Sequence, residues 1–325
     1  MQTALITGIS GQDGWFLANQ LLERGDRVVG LTRDVAAAAA EFAGLPRQPE
    51  LLTFDYGSEG AIVDLVETIV PDAIYNLAAF ATGQGMFDRP QQMARLNGTF
   101  VLDILEAIRN SRRRTAIAFV QASSSEMFGD VTEVPQSEAT PLRPKSPYGA
   151  AKQYAHSLVS IYRRAFGVRA SSAILYNHES VRRPPAFVTK KVARGAARIS
   201  LGLETNLVLG ALDISRDWGY APEYMDALVR MASAPEGDDF VVATGRLSRI
   251  RDLVEVAFGR VGLDWERYVK IDSSWVRPIE SVGFCGNPAK IEAMLDWKAR
   301  TSIDKIICEM VDFELQRAAS DRPFD

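Results

Sequence analysis

Two cysteines and two histidines in 325 residues leave little scope for thiol or metal chemistry. Cys285 and Cys308 belong to no metal-spaced set and build no disulfide framework, which points to a reducing, cytoplasmic setting. With His156 and His178 as the only imidazoles, no metal centre is expected. Basic charge is also short. Against 41 Asp and Glu stand 37 Lys and Arg, net -4, so no surplus exists to neutralise a nucleic-acid backbone. No apolar run is long enough to span a bilayer, and Met1 leads into a strand-like segment rather than an export signal. Neither a repeat nor a low-complexity linker interrupts the chain. What is present is ordinary for a soluble enzyme, 47% hydrophobic and 24% charged, long enough for one large or two intimately joined domains.

The first half alternates strands with helices. Thr3-Ala4-Leu5-Ile6-Thr7 is a short apolar strand, followed by Gly8-Ile9-Ser10-Gly11-Gln12-Asp13-Gly14 and an amphipathic helix over residues 15–24. Glycines 8, 11 and 14 suit a tight turn, close approach of backbone to a pyrophosphate, and a helix N-terminus facing phosphates. A second strand (27–31) ends at Thr32-Arg33-Asp34, where cofactor choice is made. Arg33 suits the extra phosphate of NADP, Asp34 the ribose diol of NAD. A third strand (51–55) places Asp55 at the adenine edge. A helix over 61–69 leads to a fourth strand (73–79), whose Leu77, Ala78 and Ala79 let the backbone run close under a ribose. Residues 80–89 read as a loop over the active site and 98–109 as an amphipathic helix. This alternation to about residue 175 predicts an α/β, Rossmann-type doubly wound parallel sheet.

Residues 121–152 carry the densest chemistry. An apolar run (116–120) opens onto Ser123, Ser124, Ser125 and Glu126. Ser146 then caps a helix that Pro147 starts. Tyr148 and Lys152 lie one turn apart on that helix, so the ammonium is expected to lower the tyrosine pKa and equip it as a base. Such a pair is common by chance, and the surrounding residues decide its meaning. Past residue 175 the composition shifts. Residues 177–185 read as a polar, proline-rich loop, and 176–325 as mainly a smaller C-terminal α/β substrate domain, with some segments returning to the first. Arg216 and Arg277 suit bidentate grips on phosphate, although each taken singly reads more simply as a surface ion pair.

These segments together resemble the extended short-chain dehydrogenase/reductase superfamily and, within it, the GDP-mannose 4,6-dehydratase family. The resemblance covers nearly the whole chain. It rests on Thr7 to Gly14, Gln121-Ala122-Ser123-Ser124-Ser125-Glu126, Ser146-Pro147-Tyr148, Asn177-His178-Glu179-Ser180, Phe187-Val188-Thr189, Ser215-Arg216-Asp217-Trp218-Gly219, Ala243-Thr244-Gly245 and Arg277-Pro278. It implies a 4,6-dehydratase that oxidises carbon 4 of a nucleotide sugar, eliminates water across carbons 5 and 6, and returns the hydride to carbon 6. By that likeness Ser124 holds the oxygen on carbon 4, Tyr148 is the base, Lys152 tunes it and holds the nicotinamide ribose, and Glu126 is the elimination base. Gln12, Asp13, His178 and Arg183 join the glycines as cofactor contacts. Asn177, Lys191, Arg216, Arg277 and Glu280 contact the nucleotide part of the substrate. NADP (rather than NAD), a GDP-linked sugar and a homodimer or homotetramer are the implied partners.

Where the family carries a polar run after the fourth strand, this chain has Phe80-Ala81-Thr82-Gly83, which implies a more apolar sugar pocket. A sugar-nucleotide epimerase or 4-keto reductase of the same superfamily is the alternative, needing Ser124, Tyr148 and Lys152 but no carboxylate at 126. A non-catalytic nucleotide sensor on the same fold is opposed by those three intact residues.

Overall fold

The structure, a computed structural model, describes residues 1–58, 60–80, 87, 89–272 and 283–320. The strands are β1 (Thr3–Thr7), β2 (Arg27–Thr32), β3 (Glu50–Thr53), β4 (Ala73–Asn76), β5 (Ala118–Ser124), β6 (Arg169–Leu175), β7 (Asn177–Glu179), β8 (Leu207–Leu209), β9 (Ser215–Arg216), β10 (Trp218–Tyr220), β11 (Asp239–Val242), β12 (Ser248–Arg249) and β13 (Val269–Ile271). The α-helices are α1 (Gln12–Glu23), α2 (Val35–Phe42), α3 (Ala61–Ile69), α4 (Pro90–Ala94), α5 (Phe100–Asn110), α6 (Pro147–Phe166), α7 (Val188–Ser200), α8 (Ala221–Ser233), α9 (Ile250–Arg260), α10 (Ala289–Leu295) and α11 (Ile303–Ser320).

Seven strands form one parallel sheet in the order β11-β6-β5-β4-β1-β2-β3. The expected Rossmann-type sheet is therefore present. Its central strands are near-continuous apolar runs because helices bury both faces. Leu17, Leu21 and the α8 residues Tyr224, Met225 and Leu228 cover one face, while Ile104, Ile108 and Val159 cover the other. A separate apolar core joins α7, α9 and α11 through Val192, Leu253, Phe258, Ile307 and Met310. The strand order reverses between β1 and β4, the switch point beside which ligands bind in open α/β sheets.

Several local expectations are corrected. The fourth strand stops at Asn76 rather than Ala79, because Thr7 Oγ1 accepts the N–H groups of Leu77 (3.1 Å) and Ala78 (3.0 Å) and turns the chain. The helix placed at 98–109 is α5, and it follows α4 and a π-helical turn over Arg95–Thr99. Buried Asn97 on that turn holds Phe80 from both sides, accepting from its N–H (2.8 Å) and donating to its carbonyl (3.3 Å). Residues 81–86 and 88 of the expected loop, including Ala81-Thr82-Gly83, lie outside the described residues. The stretch 177–185 is not wholly loop, since β7 pairs in parallel with β10. Among the described residues no helix is long and apolar enough to cross a membrane.

Candidate active site

A cavity of about 840 Å³ opens at the C-terminal ends of β1, β4 and β5 and runs along α7. Its floor at one end is the glycine turn. Gly8 has φ +69, and a Cβ there would stand 2.8 Å from Ala78 Cα; a Cβ on Gly14 would meet the Gly8 carbonyl at 2.5 Å. Only glycine allows this closeness of β1, β4 and α1. Gly11 caps α1 without a side chain, which leaves the first-turn N–H groups facing the cavity. The turn is held from below by Tyr56, whose hydroxyl accepts from Gly8 N–H (2.9 Å) and donates to the Leu31 carbonyl (3.1 Å). Tyr56 was not singled out by sequence, and Thr7 only as the first residue of the glycine motif. Their hydroxyls act on residues far along the chain, so no local pattern marks these contacts.

The first turn of α1 meets β7 through a partly buried ion pair. His178 Nε2 lies 3.0 Å from Asp13 Oδ2, and its Nδ1 lies 2.7 Å from the Tyr176 carbonyl. Both ring nitrogens face acceptors, an arrangement that favours the imidazolium, which donates from both. Burial alone would raise the Asp13 carboxyl, but the charge and hydrogen bond of His178 bring it down to about 2. Burial likewise opposes the charged imidazole, and Asp13 overrides it, raising the His178 pKa. Gln12 completes the junction by donating to the His178 carbonyl (3.1 Å) and accepting from Ser180 Oγ (2.7 Å). A raised folded pKa stabilises fully below the unfolded value, about 6.5 for histidine, and the gain is lost as pH climbs through the folded value. Thermal unfolding followed from pH 6 upward is thus expected to show a falling Tm in the wild type. His178→Gln should flatten that slope, and an unchanged slope would assign it to other groups.

At the other end β5 delivers Ser124, and the turn Ser125–Met127 carries Glu126. Ser124 Oγ accepts from Glu126 N–H (3.2 Å) and is hydrogen-bonded to the Tyr148 hydroxyl. Ser146 caps α6 as expected, accepting from Gly149 N–H at 3.0 Å. A Cβ on Gly149 would lie 2.6 Å from the Glu126 carbonyl, so this glycine lets α6 press onto the turn and sets Tyr148 beside Glu126. Lys152 is buried, donates to the Ala122 carbonyl at 2.7 Å, and has Nζ 5.9 Å from the centre of the Tyr148 ring. The expected drop in the tyrosine pKa is not found in the protein alone. Burial pushes the Tyr148 phenol up to about 12 and the Lys152 ammonium down to about 8, desolvation being the largest cause for each.

Ser124, Glu126, Tyr148, Lys152, Gly8, Gly11, Gln12, Asp13, Gly14, Leu77, Ala79, Asn177, His178, Arg183, Lys191 and Arg216 all line this cavity. Arg33 and Asp55 are exposed outside it, and Ala78 is buried under Gly8. Asp34 caps α2, accepting from Ala37 N–H at 3.0 Å. Arg183 Nε pairs with buried Glu179 (3.1 Å) and its guanidinium lies 3.6 Å from the Phe187 ring centre. Burial lowers the Lys191 pKa. Arg277 and Glu280 lie outside the described residues. Glu204, Leu207 and Leu209, not singled out by sequence, line the wall that α7 and β8 share. No group of three metal-ligating side chains occurs among the described residues.

This arrangement has known counterparts. A sequence model described as GDP-mannose 4,6 dehydratase matches residues 5–310. GDP-mannose 4,6 dehydratase 1 of Arabidopsis thaliana is 40% identical over 330 residues, covering 98% of this chain and 91% of that protein. The Homo sapiens GDP-mannose 4,6 dehydratase is 37% identical, covering 97% of this chain and 92% of its own. Among solved structures, RMD from Pseudomonas aeruginosa complexed with NADPH shares the fold, with TM-score 0.81 and 24% identity over 98% of both chains. The family model runs from within β1 to within α11, a range that includes Ser124, Glu126, Tyr148 and Lys152, and the chain belongs to the GDP-mannose 4,6 dehydratase family.

Proposed function

We propose that the protein is a nucleotide-sugar 4,6-dehydratase acting on a GDP-linked hexose, with NADP as its resident cofactor. The observation that carries this reading is Glu126 sharing one cavity with Ser124, Tyr148 and Lys152. The residues present fit a dinucleotide. Gly8 and Gly14 form a cradle that a Cβ would fill, and the uncapped first turn of α1 suits a pyrophosphate. A nicotinamide cofactor bound there would supply a hydride acceptor for carbon 4 and a hydride donor for carbon 6. Ser124 holds the oxygen on carbon 4 by a hydrogen bond. Tyr148 takes the proton from that hydroxyl, with the Lys152 ammonium offsetting the burial that disfavours its phenolate. The ketone at carbon 4 acidifies carbon 5; Glu126 takes that proton and passes it to the hydroxyl on carbon 6, which leaves as water, and carbon 5 regains a proton from solvent. His178 and Arg183 are assigned to the cofactor; Asn177, Lys191, Arg216, Arg277 and Glu280 to the substrate nucleotide. Residues 1–175 are assigned to cofactor binding and 176–325 mainly to substrate.

NADP rather than NAD is supported by Asp34, whose carboxylate is engaged in capping α2 and leaves exposed Arg33 to meet a 2′-phosphate. The nucleotide released on denaturation is expected to be NADP, and Arg33→Ala should weaken NADP binding while sparing NAD. Release of NAD alone would overturn the assignment. A homo-oligomer is supported by Tyr154, Ile161 and Phe166, large apolar side chains exposed on α6, and light scattering tests it. Cysteine usage supports a cytoplasmic setting. The decisive assay incubates the protein with GDP-mannose and a panel of other nucleotide sugars, and mass spectrometry looks for loss of one water. No dehydration of any GDP-sugar would sink the reading.

A further inference from the structure

Asp217 takes no part in the chemistry above, yet it is wholly buried between Arg216 and Trp218. Its Oδ1 accepts from the N–H (2.9 Å) and hydroxyl (2.6 Å) of Thr244, and its Oδ2 from the N–H groups of Gly245 (3.0 Å) and Gly286 (3.2 Å). Its own N–H donates to the Phe284 carbonyl at 3.2 Å. One carboxylate thereby ties together the β9–β10 stretch, the turn after β11, and residues 284–286. Gly245 has φ +74, and a Cβ on Gly286 would stand 2.3 Å from Ala243 Cβ, so both glycines are needed for those N–H groups to face inward. Buried Gln136 pins the same stretch from the other side. It accepts from Cys285 N–H (3.1 Å) and donates to the Gly283 carbonyl (3.1 Å) through its side chain. Arg216, which lines the cavity, rests on this stretch with its guanidinium 5.6 Å from the centre of the Phe284 ring.

The choice of aspartate follows from the inventory of donors. A carboxylate only accepts, and four donors converge on it. Asparagine in either orientation would turn an NH2 towards two of them, leaving buried donors unmatched. We propose that Asp217 is a positioning residue for substrate: it locks Arg216 and the 283–287 stretch into one rigid unit, so that the guanidinium is already oriented for the diphosphate. Rigid placement spares the cost of ordering a long side chain on binding. The proposal rests on the reading of Arg216 as a phosphate contact.

Kinetics and calorimetry with GDP as the probe test it. Asp217→Asn is expected to raise KM for the GDP-sugar and Kd for GDP by about tenfold, the scale of one charge-assisted hydrogen bond, with kcat held within about twofold. NADP affinity should be unchanged. On an Arg216→Ala background the same substitution should add little, because the residue it positions is gone. Phe284→Leu, which leaves every bond to Asp217 in place, should raise the same two constants by a smaller factor and serves where Asp217→Asn fails to fold. If Arg216→Ala alone leaves GDP binding intact, the reading of Arg216 falls. If Arg216→Ala weakens GDP binding but the Asp217 effect multiplies with it, falls on kcat, or is absent, the positioning role is overturned. Unchanged GDP binding in Phe284→Leu would overturn it equally.

Discussion

Glu126→Gln is expected to slow dehydration by about a hundred- to ten-thousandfold, the usual contribution of a general base. The substitution keeps the shape of the Ser125–Met127 turn and the backbone approach that Gly149 permits, but an amide cannot take the carbon 5 proton. Oxidation at carbon 4 precedes that step, so cofactor binding and hydride removal should survive, and oxidised intermediate should accumulate. Solvent deuterium entering carbon 5, followed alongside product, reads the step directly. Undiminished dehydration in the variant, or wild-type turnover without label at carbon 5, would remove Glu126 from the mechanism. The epimerase or 4-keto reductase reading would then lead.

Tyr148→Phe is expected to stop the reaction a step earlier. With no acceptor for the hydroxyl proton, no ketone forms, carbon 5 is never acidified, and neither label nor product should appear. A loss of at least about a thousandfold in kcat/KM is the scale for a base on which the first step depends. The pH profile separates the roles of Tyr148 and Lys152. Burial pushes the phenol up to about 12, so activity should rise with pH towards the phenol's value in the complex. Lys152→Met removes the ammonium that favours the phenolate and should move that limb to higher pH. A limb that stays in place would show that Lys152 acts only by holding ribose.

What was legible in the sequence was local. Gly8, Gly11 and Gly14 sit between a strand and a helix, and their chemistry is decided within seven residues of chain. The Ser146 cap and the Tyr148–Lys152 spacing are equally short-range. The errors fell where distant residues decide. The end of β4 is set by the Thr7 hydroxyl, and the π-helical turn lets Asn97 grip Phe80; neither is written in a hydrophobic period. The tyrosine pKa depends on burial, which spacing on one helix does not report. β7, β9, β10 and β12 are two or three residues long and exist only through their partners. Asp34 is the converse case. An aspartate ahead of Val35 and five alanines is an N-cap signal, but it competed with a ribose-binding role at the same position.

β11 has a consequence for how the protein is made. The strand lies beyond residue 175 yet closes the open side of β6, while α8 supplies Tyr224, Met225 and Leu228 to one face of the same sheet. A ribosome that has released only the first 175 residues presents a bare strand edge and a half-covered apolar face, the features that invite pairing with a neighbouring chain. The parts of the chain on either side of residue 175 are therefore expected to share a single folding event rather than to fold in succession. A truncation at that boundary should yield aggregate, not a small cofactor-binding protein.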